Sequence, residues 1–281
     1  MAIPPPDDGY GDAAVSLWTT RVVAFTQWVG PGRRVTQTGR LTLAQARELV
    51  PALDTGDVID PMVHGRVHRT TSTEELPELN TTCAWAKAAR LVRVTGGKLA
   101  VVQKNAVLLE RPVPLWERMF ATFGALGPVI CPPGWGESLL RGHFADGIRA
   151  VLSGVSAHDG PAGLDLVCRW GWDAVSHGGR IAGVSAANRD TWRRCNDRDV
   201  RAAVGVLARF GALRLDGPPD AYVVALTRWD APRCPHAGEV RPGRRSPAEA
   251  HRSLRHRSLP RAEPDLSGRA RAPRPLRPVT R

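Results

Sequence analysis

The chain has 281 residues, of which 42% are hydrophobic and 23% charged, and a net charge of +12. Thirteen arginines and four acidic residues leave Pro232–Arg281 at +9, so the other 231 residues hold only +3. No apolar run approaches the roughly 20 residues a bilayer needs, and five scattered cysteines without a C-x-x-C pair exclude a disulfide framework.

The start, Pro4-Pro5-Pro6-Asp7-Asp8, is acidic and proline-rich, and its first basic residue is Arg21. A secretory leader begins positive and continues apolar, so a cytoplasmic protein is expected, with residues 1–13 disordered. Val15, Trp18, Val22, Phe25 and Val29 then recur at spacings of three and four, which predicts a helix stopped by Gly30-Pro31-Gly32. Arg34–Thr38 reads as a short strand. Thr42 with Gln45 forms a capping box that opens a second helix, burying Leu43, Ala46, Leu49 and Val50.

Asp54–Leu76 is rich in turn residues, with one extended stretch near Val63–Val67. A third helix follows with Leu79, Cys83, Ala86 and Arg90 on one face. Leu91–Val94 and Leu99–Val102 are then expected to pair across Gly96-Gly97, a dipeptide that tolerates positive φ. Leu115, Met119, Phe120, Phe123 and Leu126 mark another helix, closed by Gly127-Pro128.

After a Pro/Gly-rich junction, helices are expected near Glu137–Val155, burying Leu140, Phe144, Ile148 and Val151, and near Pro161–Ser176. A further helix, capped by Asp197, buries Val200, Val204, Leu207 and Phe210 and stops at Gly211. Ala212–Asp216 and Tyr222–Thr227 form its hairpin. From Pro232 the chain lacks Ile, Met, Phe, Trp, Tyr, Lys, Asn and Gln, has little to bury, and is expected to be disordered.

A helix running into a hairpin therefore occurs twice, at Leu79–Lys104 and at Asp197–Thr227. The expected fold is mainly α with short β-hairpins: a winged-helix-like unit at 14–127, a second at 137–230, and a disordered Arg/Pro-rich tail at 231–281. Residues 79–104 hold Lys87, Arg90, Arg93, Lys98 and Lys104 and no acidic residue. A third helix in the major groove and a wing on the phosphates would put these five on duplex DNA. The bland alternative is a solvated helix face in a chain where arginine outnumbers lysine 36 to 3. The second copy carries four arginines against four aspartates, which suits packing or a protein partner better. Binding to DNA or to a protein is thus the expected role.

Other patterns rank lower. His64 and His68 are spaced for a metal only on a helix, which Val63, Gly65 and Val67 disfavour. Gly30-Pro31-Gly32-Arg33-Arg34 lacks the ending of a P-loop. Ser156, His158 and Asp159 are adjacent without the G-x-S-x-G context of a nucleophile. No cofactor, metal, small-molecule ligand or catalytic residue is expected.

The segments Trp28-Val29-Gly30, Val35-Thr36-Gln37-Thr38-Gly39, Leu43–Val50 and Ala84–Arg93 resemble a group of uncharacterised actinobacterial proteins with winged-helix-like units. Some members continue into a plasmid-ORF-like domain. The resemblance spans residues 15 to 230 and implies no catalytic residues.

Overall fold

The computed structural model describes residues 16–131, 133, 136–177, 181, 183–218 and 222–227. The chain divides into two units, Met1–Arg233 and Cys234–Arg281. The expected disorder of the first 13 residues and of the tail lies outside the described residues. The first unit is mainly helical with short antiparallel sheets.

The first half opens with α1 (Leu17–Val29), capped by the Ser16 side chain, with Trp18, Val22, Phe25 and Val29 fully buried. Strand β1 is Arg33–Arg34: of the stretch expected as a strand, Arg34–Thr38, only Arg34 belongs to it, and the chain turns instead, with Gly39 N–H on Thr36 O at 2.8 Å. Helix α2 (Leu43–Ala52) carries the Thr42/Gln45 capping box, and Ala46 and Leu49 form its buried face. Leu43 and Val50 are only half-buried.

The turn-rich segment before α3 (Pro77–Ala88) has a definite task. Asp57 accepts hydrogen bonds from the backbone N–H of Glu78 at 3.1 Å and of Leu79 at 2.8 Å. These are donors at a helix start that have no partner within the helix. Asp60 and Thr70 exchange two bonds of 2.9 Å and close a small hairpin, β2 (Met62–Val63) with β3 (Arg66–Val67), which turns at His64-Gly65.

α3 ends in a cap that its sequence conceals. Arg90 N–H donates to Lys87 O and Leu91 N–H to Ala86 O, the two bonds of a Schellman motif, with Arg90 at φ +58. Arg90 is exposed and does not extend the buried face of Leu79, Cys83 and Ala86. Strands β4 (Val92–Thr95) and β5 (Lys98–Val101) pair as expected across Gly96-Gly97. The next helix, α4 (Pro112–Thr122), does not close at Gly127-Pro128. A 3-10 turn, Phe123–Leu126, leads into a further short helix, α5 (Gly127–Ile130). Proline at a first-turn position begins a helix without losing a bond, which is why Pro128 starts a turn there.

In the second half the helix expected at Glu137–Val155 is broken at His143 into α6 (Leu139–Gly142) and α7 (Phe144–Ala157). The helix expected from Pro161 starts later, as α8 (Leu164–Ser176), because Ala162–Gly163 forms strand β6. Asp197 is not a cap. Helix α9 spans Ala186–Arg209, capped by Ser185, and Asp197 lies inside it, paired with Arg193 one turn earlier at 3.0 Å. Val200, Val204, Leu207 and Phe210 are buried as expected, and Gly211 (φ +79) repeats the Schellman cap of α3. Strands β7 (Leu213–Asp216) and β8 (Val223–Leu226) complete the fold.

Apart from the β2–β3 hairpin, which separates α2 from α3, both halves follow the order helix, strand, helix, helix, two strands, as α1-β1-α2-α3-β4-β5 and α7-β6-α8-α9-β7-β8. Their sheets share one topology as well, β1-β5-β4 and β6-β8-β7, in which the lone strand pairs with the second hairpin strand. They also share one core. Phe210, at the end of α9, lies 4.9 Å from the Trp116 ring and 4.7 Å from the Trp85 ring. The indole N–H of Trp116 donates to Phe210 O at 3.0 Å. Among the described residues, no helix is long and apolar enough to cross a membrane.

Candidate nucleic-acid interface

The β4–β5 turn is tight because both of its residues have positive φ, +54 at Gly96 and +70 at Gly97, a type I′ requirement that glycine meets without strain. The turn fixes the register, and the register fixes the faces. Arg34 pairs with Lys98, which in turn pairs with Thr95, while Arg93 pairs with Ala100. Residues directly opposite in an antiparallel ladder project to one side, and sides alternate along each strand.

Val92 and Leu99, both 1% exposed, identify the inner face. Arg34, Arg93 and Lys98 therefore share the outer one, and all three are exposed. Opposed Cβ atoms stand about 5 Å apart and diagonal ones about 7 Å. Like charges so placed repel one another unless solvent or an anion lies between them.

Among the described residues, none of these three side chains has a carboxylate within ion-pair distance, whereas neighbouring cations are engaged. Arg21 binds Glu78 at 2.9 Å and also donates to the carbonyls of Leu53 and Asp54. Arg40 binds Glu74 at 2.6 Å and Arg47 binds Asp60 at 2.8 Å. Arg33 lies over the Trp28 ring at 4.5 Å and donates to Trp28 O.

The five residues singled out from sequence fall in three places. Arg93 and Lys98 lie on the outer face. Arg90 and Lys104, both exposed, sit at the far end of the hairpin from its turn. Lys87 is on the other side of the sheet, where its Nζ donates to Gly39 O at 3.1 Å. Arg34 belongs with Arg93 and Lys98 but escapes a reading by composition, because only the register of a two-residue strand brings it there.

α3 has no groove-reading face. From Glu78 to Ala89 every residue is buried or half-buried, as α1, α4 and α5 and the 3-10 turn all pack on it. α9 differs: its first six residues, Ala186–Thr191, are all exposed. Its arginines are largely answered, with Arg193 on Asp197, Arg198 on Asp199 and Arg201 on Asp165, and on β7 Arg214 pairs with Asp216.

The remaining motifs take structural places. His64 (φ +49) is the first residue of the β2–β3 turn, and among the described residues no group of three His, Cys, Asp or Glu side chains could hold a metal. His158 stacks edge-on against Trp170, 5.9 Å between ring centres. Trp172 is buried while Trp170 is half-buried. Cys234 lies outside the described residues.

Burial pushes the Cys83 thiol up to about 12 and the Cys168 thiol up to about 11. Cys131 is raised too, by burial and then by the Asp199 carboxylate beside it. None of these three is a nucleophile at neutral pH.

Comparison with protein-family models, with curated proteins and with solved structures found no match to this chain.

Proposed function

We propose that this chain is a nucleic-acid-binding protein of two winged-helix-like units, the first of which holds duplex DNA by its phosphates through the outer face of the β1-β5-β4 sheet. The observation that carries the reading is the row of Arg34, Lys98 and Arg93, on one exposed face with no carboxylate in reach among the described residues. The common element order and the pairing of the lone strand with the second hairpin strand support the winged-helix part. The stretches that resemble the actinobacterial group fall on α1, the β1–α2 loop, α2, α3 and β4, so a link to that group belongs to the same proposal.

With α3 buried, the contact is made by the wing sheet alone. Phosphate contacts position a protein but carry no base information, so binding is expected to be indifferent to sequence. Fluorescence anisotropy on a random-sequence duplex between 50 and 200 mM salt tests this, comparing the full chain with Arg34→Ala/Arg93→Ala/Lys98→Ala. Each phosphate contact adds about 0.9 to the slope of log affinity against log salt, so the triple variant should be shallower by about 2 to 3. The basic tail is common to both proteins and cancels in the difference. Equal slopes would overturn the proposal.

A second reading, contact with a protein partner, is favoured by apolar side chains on and beside the β2–β3 hairpin, where Val58, Met62 and Val67 are 66%, 72% and 59% exposed. Equal slopes together with lost pull-down on Met62→Ser/Val67→Ser would favour that reading instead.

A further inference from the structure

Lys87 stands one turn after Cys83 on the side of α3 that faces the β1–α2 loop. Its ammonium has three donors, and its one hydrogen-bond partner among the described residues is the neutral carbonyl of Gly39. Arg40, the next residue along that loop, is already neutralised by Glu74 at 2.6 Å. A half-buried positive charge thus lies here without a countercharge among the described residues.

Beside it is a cavity of about 180 Å³. Lys87, Arg40 and Asn80 supply its polar lining, and Cys83, Leu99 and Val129 line it with apolar groups. The Asn80 amide is held in place by a 2.7 Å bond to Thr73 O. Leu99 comes from the inner face of the sheet, so the cavity lies on the opposite side from Arg34, Arg93 and Lys98. A cavity of roughly 150 Å³ accommodates a benzene ring, so this one has room for a ring and one small substituent. An apolar body with few converging polar groups is the usual form of a small-ligand site.

We propose that this cavity binds a small organic carboxylate, its ring or branched body against Leu99, Cys83 and Val129 and its carboxylate on Lys87 Nζ. The anion supplies the missing countercharge, and the charge-assisted bond draws the group to the lysine. The site is independent of the phosphate-binding face, because it uses none of the same side chains.

Benzoate is the probe, titrated into the full chain carrying ¹³C-labelled methyl groups. Shifts of Leu and Val methyl groups confined to Val35, Leu41, Leu99 and Val129, which line the cavity, should saturate with a dissociation constant in the millimolar range, the affinity that about nine non-hydrogen atoms supply. Benzyl alcohol, with the same ring and no charge, should bind about tenfold more weakly or worse, and Lys87→Met should lose a similar factor for benzoate alone. Absence of saturation, shifts scattered over the whole protein, or equal affinity for the acid and the alcohol would each overturn the proposal. The comparison of the two ligands uses the unaltered chain, so it decides the question even if Lys87→Met fails to fold. DNA affinity unchanged by benzoate, or absent altogether, leaves this result intact.

Discussion

Arg90→Gly should stabilise the protein. Arg90 occupies the left-handed position of the Schellman cap at the end of α3, with φ +58, and the equivalent position at the end of α9 is Gly211, with φ +79. Both caps make the same pair of bonds: Arg90 N–H to Lys87 O with Leu91 N–H to Ala86 O, and Gly211 N–H to Ala208 O with Ala212 N–H to Leu207 O. The backbone bonds are indifferent to the side chain, so the difference lies in the Cβ. A non-glycine residue in this region costs about 1 to 2 kcal/mol, and glycine returns about 0.5 to 1 of that through the entropy it loses on folding. The net gain is about 0.5 to 1 kcal/mol, or about 1 to 4 °C in melting temperature for a body of this size. The reverse change, Gly211→Arg, should cost at least as much. Urea unfolding of both variants beside the parent measures the two effects. A destabilised Arg90→Gly would show that the arginine side chain makes a stabilising contact outweighing its backbone strain, and would refute the reasoning.

Two further outcomes rest on the described side chains. Glu78 accepts from Arg21 at 2.9 Å and from both terminal nitrogens of Arg209 at 2.8 and 3.0 Å, so Glu78→Gln leaves the 6%-exposed Arg21 charged without a carboxylate. Equilibrium unfolding should register a loss of about 2 to 3 kcal/mol, and a change below about 0.5 would show the pair to be worth no more than a surface one. The thiols give a pH dependence. Cys83 and Cys168 keep their protons up to about 12 and about 11 when folded, but release them near their ordinary value of 9.0 when unfolded. Above that value the folded state holds more protons, so stability falls as pH rises, by about 1.4 kcal/mol per pH unit for each thiol until its folded value is reached. Unfolding at pH 8 and pH 10 should therefore show a smaller loss in Cys83→Ala/Cys168→Ala than in the parent. A thiol reagent at pH 8 should label half-exposed Cys195 before either, and an equal loss in both proteins or prompt labelling of Cys83 would contradict the burial argument.

The sequence made some elements legible and hid others for identifiable reasons. α1 and the β4–β5 hairpin were readable because each carries a strong local signal, a 3.6-residue apolar period in one and Gly-Gly between two short, largely apolar stretches in the other. The start of α9 was not, because Ala186–Thr191 is exposed throughout and has no apolar face to generate a period. An acidic residue just before the first apolar repeat then passed for a cap. Strand β6 is two residues long, too short for any alternation to appear, and β1 lies ahead of the β-branched Val35, Thr36 and Thr38 that suggest a strand. The candidate interface was partly legible. Arg93 and Lys98 follow from the hairpin alone, whereas Arg34 joins them through a register more than 60 residues away in sequence. Lys87 looked equivalent to them by charge, and only tertiary packing separates it. That α3 is surrounded depends on α1 before it and on α4 and α5 after it, which no window on α3 can report.

The position of Phe210 between Trp85 and Trp116 bears on how this protein can be dissected. The residue closes the last helix of one repeat, yet both of its aromatic neighbours belong to the other. A cut between the repeats would expose two indoles on one fragment and a phenyl ring on the other, each fragment retaining its local pattern but losing its centre. The repeat is therefore a unit of architecture without being a unit of folding. Its two copies behave as halves of a single object, and a substitution at this junction is felt by both.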